Sequence, residues 1–127
     1  MSRRDYGHVI NYTATGTGGV GKYLLVKFGA SDGTVTLATA ATDAIIGAST
    51  DIASDENARC DVARSGCAPV IYGGNVTRGD WLTAGTGGKA VATTADGANV
   101  IGRAEVSGVA NDIGSVFITP GKISTPA

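Results

Sequence analysis

The segment YLLVKFGASDGTVTL, residues 23–37, decides the fold class of this chain. Its two apolar runs, residues 23–28 and residues 34–37, are rich in β-branched and aromatic side chains that favour strands. Between them stand Gly29 and the sequence Ser-Asp-Gly at residues 31–33, which is typical of a tight turn. The spacing predicts two antiparallel strands joined as a hairpin.

Short strand-like runs separated by glycine-rich turns fill the rest of the chain. No stretch keeps the apolar spacing of a helix for twelve residues, and the 20 glycines disfavour long helices. One helical turn is expected over residues 49–58, where Ser54 precedes two acidic residues as an N-cap would. The predicted fold class is all-β, a small β-barrel or β-sandwich (tulip-like) with an extended N-terminal arm and little or no helix. Further strands are expected over residues 44–49, 58–64, 67–72, 81–83, 89–93, 99–106 and 115–119.

The length of 127 residues favours one domain. We expect residues 1–20 to form the arm and a glycine-rich turn, and residues 21–127 to form the single β domain. Gly, Ala and Thr fill 54 of the 127 positions, and only 33 residues are bulky and apolar. The core will therefore be thin, which favours support from oligomerisation or a larger partner.

Two short sequences occur twice in the chain. The sequence Gly-Thr-Gly-Gly at residues 16–19 recurs at residues 85–88, and Ile-Ile-Gly-Ala at residues 45–48 is echoed at residues 100–104. The two spacings differ, which excludes a regular repeat array. Two related β-hairpin units folded on one another, or chance in a chain so rich in Gly, Thr and Ala, would each explain the echoes.

Charge and hydropathy exclude several classes of partner. The apolar runs are too short to span a membrane, and residues 1–6 carry positive charge without the apolar segment of a secretory signal. The net charge of −1 and the isoelectric point of about 5.6 argue against a dedicated nucleic-acid binder. Residues 1–30 carry a net charge of +3 and residues 31–57 a net charge of −5. These are solvated loops, or a basic arm that docks on an acidic surface of a neighbouring copy.

Residues 16–22 match the pattern GxxxxGK of a phosphate-binding loop. That loop requires a helix after it and a Ser or Thr after the Lys, whereas here Tyr23 and a strand-like run follow. The pattern therefore indicates a flexible turn, and we expect no bound cofactor.

No catalytic constellation is readable from the sequence. His8 is the one histidine, without a nucleophile-elbow context nearby, and the carboxylates are scattered singly. Cys60 and Cys67 flank a predicted hairpin turn at residues 65–66, so they form either a cross-strand disulfide or, without a secretion signal, two reduced thiols. We expect no metal site and no enzymatic activity.

From residue 45 onward the order of motifs resembles the capsid cement, or decoration, proteins of tailed bacteriophages. The resemblance covers about residues 20–120 and rests on the order and spacing of three motifs. These are Gly-Asp-Trp-Leu-Thr at residues 79–83, Gly-Lys-Ala-Val at residues 88–91, and Ile-Gly-Arg-Ala at residues 101–104.

The resemblance implies a non-enzymatic virion protein on the outer capsid surface, made in the host cytoplasm. Such proteins bind the expanded lattice, often as homotrimers, and clamp neighbouring copies of the major capsid protein. The alternative is a host-binding adhesin module of a head or tail, which would be present in few copies rather than hundreds.

Five residues are candidates for contact with the capsid or with a neighbouring subunit. Arg3, Arg4, Tyr6 and His8 lie on the polar, glycine-bounded arm, which is suited to adding to the sheet edge of a neighbour. Trp81 is the only tryptophan and is a candidate core or interface anchor.

Overall fold

The computed structural model describes residues 5–124, which form two β-sheets. The all-β prediction is confirmed, because the helical structure in these residues is one 3-10 turn at Thr86–Gly88. The strands are β1 (Asp5–Tyr6), β2 (Val9–Ala14), β3 (Leu25–Phe28), β4 (Thr34–Leu37), β5 (Ile45–Ser49), β6 (Arg59–Ala63), β7 (Gly66–Ile71), β8 (Trp81–Ala84), β9 (Ala90–Ala92), β10 (Asn99–Ala104) and β11 (Ile113–Lys122).

The first sheet is a closed barrel in the order β2-β4-β3-β5-β6. The predicted hairpin is confirmed, since β3 pairs antiparallel with β4 and Val26 faces Leu37. The contact between β2 and β4 is parallel, and β6 closes the barrel on β2. Alternate side chains of the strands point inward and fill the barrel, as expected for a strand repeat of two residues. The buried interior consists of Ala14, Val20, Val26, Val35, Ile46, Cys60 and Val62.

The second sheet has the order β1-β7-β11-β10-β8-β9 and also curls almost closed. Tyr72, just after β7, forms a parallel bridge with Ala90 of β9. The amide of Gly73 donates to the carbonyl oxygen of Ala90 at 2.8 Å. These contacts bring β9 to the end of β7, so that the strands from β7 to β9 surround a core of their own.

The two sheets repeat one topology. The strand order of the barrel is β2-β4-β3-β5-β6. When the bridge from Tyr72 to Ala90 is included, the strand order of the second sheet is the equivalent β7-β9-β8-β10-β11. We call residues 9–63 the first unit and residues 66–122 the second unit. Five pairs of facing residues correspond between the two units. In the first unit they are Val26–Leu37, Val26–Gly47, Ala48–Ala63, Tyr12–Cys60 and Ala14–Val35. Their equivalents in the second unit, in the same order, are Leu82–Ala92, Leu82–Gly102, Arg103–Phe117, Val70–Gly114 and Tyr72–Ala90.

This correspondence decides between the two explanations of the sequence echoes. Gly47 and Gly102 occupy equivalent positions, and a side chain at either would run into the carbonyl oxygen of the facing strand, that of Ala63 or Phe117. The close approach of the backbones requires glycine at both positions. The other echo is coincidental, because residues 16–19 connect β2 to β3 whereas residues 85–88 connect β8 to β9.

The cores of the two units differ in their relation to the rest of the molecule. The interior of the first unit is a separate cluster. The interior of the second unit is continuous with side chains on the outward face of the first unit, including Leu25, Ala48 and Ala63, all fully buried. One hydrophobic cluster therefore holds the units together.

Three local predictions are corrected by the structure. Residues 9–14, predicted as part of an extended arm, form a strand of the closed barrel. The helical turn expected over residues 49–58 is absent, and Ser54 instead donates its hydroxyl to the carbonyl oxygen of Arg59. β6 and β7 do not form a hairpin, because β2 and β5 occupy the two edges of β6. Cys60 and Cys67 consequently lie in different sheets, and no disulfide joins them.

Candidate interaction surface

A row of large side chains crosses the outward face of the second unit. Arg103 on β10 faces Trp81 of β8 on one side and Phe117 of β11 on the other. Residues directly opposite one another in a sheet project from the same face. We call Trp81, Arg103 and Phe117 the tryptophan row.

The tryptophan row is exposed and internally ordered. The guanidinium carbon of Arg103 lies 4.1 Å from the centroid of the Trp81 ring, a close cation–π contact. A nitrogen of the same guanidinium donates to the carbonyl oxygen of Gly79 at 3.0 Å. Phe117 remains 48% exposed. Aromatic and arginine side chains held on strands are the residue types that anchor protein interfaces.

Two surface grooves flank Trp81. One, of about 490 Å³, is formed by Trp81 with Val100 and the end of β11, residues 119–124. The other, of about 350 Å³, includes Asp80, Trp81 and Arg103. The indole is therefore accessible from both sides, as a partner's side chains would require.

A second exposed aromatic cluster lies at one end of the barrel. Phe28 is 57% exposed and contacts Tyr12 edge-on, with ring centroids 6.2 Å apart. Arg64 lies 5.7 Å from the Phe28 centroid and donates to the Tyr12 hydroxyl at 2.6 Å. We call Tyr12, Phe28 and Arg64 the aromatic end.

The predicted contact residues occupy different parts of the molecule. Tyr6, on β1, packs against the shared hydrophobic cluster at one edge of the second sheet, whereas Trp81 lies on β8, four strands away. His8 is exposed, and its amide donates to the Ser65 hydroxyl at 2.8 Å. Arg3 and Arg4 lie outside the described residues. The five residues thus do not form one surface.

Sequence reasoning missed Phe28 and Phe117, although a signal was present. Phe117 stands between Val116 and Ile118, and successive side chains of a strand point to opposite faces. One of three consecutive apolar residues must therefore face outward. In Val-Lys-Phe at residues 26–28, by contrast, alternation predicts an inward Phe28, and the open end of the barrel exposes it.

Shifted pKa values occur at one carboxylate in an ion pair and at two buried groups. The amide of Thr39 and the ammonium of Lys27, 3.0 Å from the Asp43 carboxylate, lower the pKa of Asp43. Burial raises the pKa of the Cys60 thiol and of the Tyr72 hydroxyl, which donates to the carbonyl oxygen of Val106 at 2.6 Å. These groups serve structure, and none faces the tryptophan row.

The remaining motifs do not assemble a site. The glycine run at residues 16–22 leads into strand β3 and not into a helix, so its amides lack the helix N-terminus that a phosphate loop uses. Within residues 5–124, no three His, Cys, Asp or Glu side chains come together as metal ligands. In the same residues no helix is long and apolar enough to span a membrane.

Comparisons with known proteins extend the description of the fold. No protein-family model matches the chain, and no curated protein does. Among solved structures, the chain is similar to the N base of the head fiber gp8.5 of bacteriophage phi29, with a TM-score of 0.71. The alignment covers 93% of this chain and 100% of that chain at 21% sequence identity. The two proteins therefore share a fold.

Proposed function

We propose that this chain is a non-enzymatic structural protein of a phage virion, made in the host cytoplasm, that binds the outer surface of the head. In this proposal it reinforces contacts between subunits of the major capsid protein. The observation that carries the proposal is the fold shared with a phage head fiber base over nearly the whole chain. The order of motifs at residues 79–104, which resembles phage cement proteins, supports it independently.

We assign the capsid contact to the beginning of the chain. β1 is an edge strand of the second sheet, and within the described residues no strand covers its outer edge. An open edge can pair with a strand of a neighbouring protein through main-chain hydrogen bonds. Arg3 and Arg4 directly precede this edge, and His8 follows it. Two positive charges beside an open edge would favour an acidic capsid surface.

Self-association would strengthen such a contact. Several linked copies that bind neighbouring capsid subunits at once gain apparent affinity of roughly 10²–10⁴ through effective concentration. A protein that binds only the expanded lattice also stabilises that lattice by mass action. We therefore propose a homo-oligomer, a trimer in keeping with the resemblance to cement proteins, with Trp81 at the contact between copies.

The direct test is co-sedimentation of the purified protein with expanded heads and with unexpanded proheads. We expect binding in hundreds of copies to expanded heads, weak binding to proheads, and increased resistance of the decorated heads to heat. Failure of the full chain to bind heads would refute the proposed function.

A shortened chain tests the assignment to the beginning of the chain. Deletion of residues 2–4 leaves β1 and the barrel strand β2 intact, whereas a deletion that reaches residue 9 or beyond would remove part of the barrel. We expect this deletion, and the pair Arg3→Glu with Arg4→Glu, to reduce head binding at least tenfold. Lys22→Glu, at an exposed lysine of the first unit, is the matched control. Normal decoration by the shortened chain would show that the arginines do not make the contact.

A host-binding adhesin is the second candidate, because the structural neighbour is the base of a fiber. An adhesin would be present in few copies per particle. Removal of an adhesin would reduce adsorption of the phage to its host and leave the stability of the head unchanged. The number of copies per head distinguishes the two functions.

A further inference from the structure

The contact between the two units inside the chain defines two complementary surfaces. One is the outward face of the first unit, with Leu25, Ala48 and Ala63 fully buried. The other is a layer of the second unit that includes Val70 and Ala84, in the same hydrophobic cluster. β5 contacts both β10 and β11 across this junction. Main-chain hydrogen bonds from Ile71 to Tyr23 and from Asn99 to Ala41, both 2.9 Å, fix the two units relative to one another.

The tryptophan row is the second unit's version of the first of these surfaces. In the first unit Ala48 faces Leu25 and Ala63, and in the second unit Arg103 faces Trp81 and Phe117. The second unit covers this face on the first unit. The equivalent face on the second unit is exposed.

The aromatic end is the first unit's version of the other surface. Tyr12 faces Cys60 as Val70 faces Gly114, and Phe28 faces Val35 as Ala84 faces Ala90. Val70 and Ala84 are buried in the hydrophobic cluster that the two units share. Their equivalents Tyr12 and Phe28 stand at an open end, and Phe28 is 57% exposed against 3% for Ala84.

We propose that the tryptophan row of one copy of this chain binds the aromatic end of a second copy, in the arrangement that joins the two units within the chain. Each molecule therefore exposes two surfaces that are equivalent to the two sides of its internal contact: the tryptophan row on the second unit and the aromatic end on the first unit. Because the two surfaces differ, the contact is head-to-tail, and repeated contacts form either a closed ring or an open filament. We expect the ring, in keeping with the closed trimers that the resemblance to cement proteins implies. This inference rests on the self-association in the proposed function and names its two surfaces, and its test measures the oligomer rather than head binding.

The composition of the two surfaces suits such a contact. Each has exposed aromatic area and an arginine, the residue types enriched in the cores of interfaces. Each also has a carboxylate beside its ring: Asp32 lines the groove next to Phe28, and Asp80 lines the groove next to Trp81. Asp32 of one copy can therefore pair with Arg103 of the next, and Asp80 with Arg64.

Two substitutions and their mixture test the proposal. Phe117→Asp removes one surface and Phe28→Asp the other, each at an exposed position where the fold does not depend on the ring. We expect the full chain to form a closed oligomer in sedimentation velocity and native mass spectrometry, and each variant alone to be monomeric. An equimolar mixture should form a heterodimer, because each variant retains the surface that the other has lost.

The control is Ile52→Asp, which changes a 63% exposed apolar side chain outside both surfaces. It should form the same oligomer as the unchanged chain, and circular dichroism should show that all three variants are folded. A full chain that stays monomeric at millimolar concentration would overturn the proposal. So would an oligomer that Phe28→Asp leaves intact, or two monomeric variants that do not combine on mixing.

Discussion

At the scale of single residues, the two units fill equivalent spaces in different ways. Ala14 and Cys60 occupy the interior of the first unit where Tyr72 and Gly114 occupy that of the second. The Tyr72 ring lies where a side chain on Gly114 would be, so the glycine is required by packing rather than by its backbone angles. Tyr72 is larger than its equivalent Ala14, and Gly114 is smaller than its equivalent Cys60, so each pair fills its interior.

This exchange predicts strong coupling between positions 72 and 114. Gly114→Cys alone should reduce the free energy of unfolding by about 1–3 kcal/mol because the thiol overpacks the Tyr72 ring. Tyr72→Ala alone should reduce it by about 3–5 kcal/mol. The double variant has the Ala and Cys found at the equivalent positions of the first unit. Its loss of unfolding free energy should be smaller than the sum of the two single losses by about 1–3 kcal/mol.

Urea unfolding of the four proteins measures this coupling. Gly74→Ala is the control, since a side chain there meets no atom within 4 Å, and it should be close to neutral. Additive losses in the double variant would contradict the packing argument. Full recovery is not expected, because the hydrogen bond from Tyr72 to Val106 is lost.

At the scale of elements, the ion pair of Lys27 with Asp43 attaches β3 to the link before β5. Asp43 accepts a hydrogen bond from the amide of Thr39 at 2.9 Å and contacts the Lys27 ammonium at 3.0 Å. Both interactions favour the ionised carboxylate, so its pKa is lowered on folding. Protonation of Asp43 removes the negative charge that pairs with Lys27. The β3–β4 hairpin then loses one attachment to the link before β5.

Stability should therefore decrease when Asp43 is protonated. A lowered pKa in the folded state means that the stabilisation is fully present above about pH 4, the unfolded value, and is lost as the pH falls through the folded value. Asp43→Asn should cost about 1 kcal/mol at pH 7 and flatten the decrease below pH 4. Thermal unfolding between pH 2 and pH 7 measures this, with exposed Asp55→Asn as the control. An acid limb unchanged in Asp43→Asn would contradict the assignment.

At the scale of the whole molecule, the shared hydrophobic cluster makes the two units depend on each other. Leu25 belongs to the first unit but is packed with the interior of the second. Loss of either unit would expose the part of this cluster that the other unit covers. We therefore expect a single cooperative unfolding transition rather than two.

Trp81 allows this to be measured, because the only tryptophan reports on the second unit. Leu25→Ala, in the first unit, should reduce stability by about 2–5 kcal/mol and shift the Trp81 fluorescence transition as far as the circular dichroism transition. A fluorescence transition that stays in place while circular dichroism becomes biphasic would show that the units unfold independently.

Local patterns in the sequence were sufficient for the all-β class, for the β3–β4 hairpin and for the approximate position of most strands. Alternation of side chains, β-branched runs and turn glycines act over a few residues, so they can be read without the fold. The same patterns identified Trp81 as a candidate anchor and noted the echo between residues 45–48 and 100–104.

Only the tertiary structure decided how the strands are partnered and which aromatic side chains remain exposed. Local sequence predicts an arm at residues 9–14 and a hairpin of β6 with β7, and both predictions are wrong. Strand pairing depends on contacts between distant residues that neighbouring sequence does not encode. The two units share a register but few side chains, since the register is set by hydrogen bonds of the backbone that many sequences satisfy. The sequence by itself determined that the chain forms strands. The long-range pairing determined that these strands form two equivalent units. It also determined that the surface buried on one unit is exposed at the equivalent positions of the other unit.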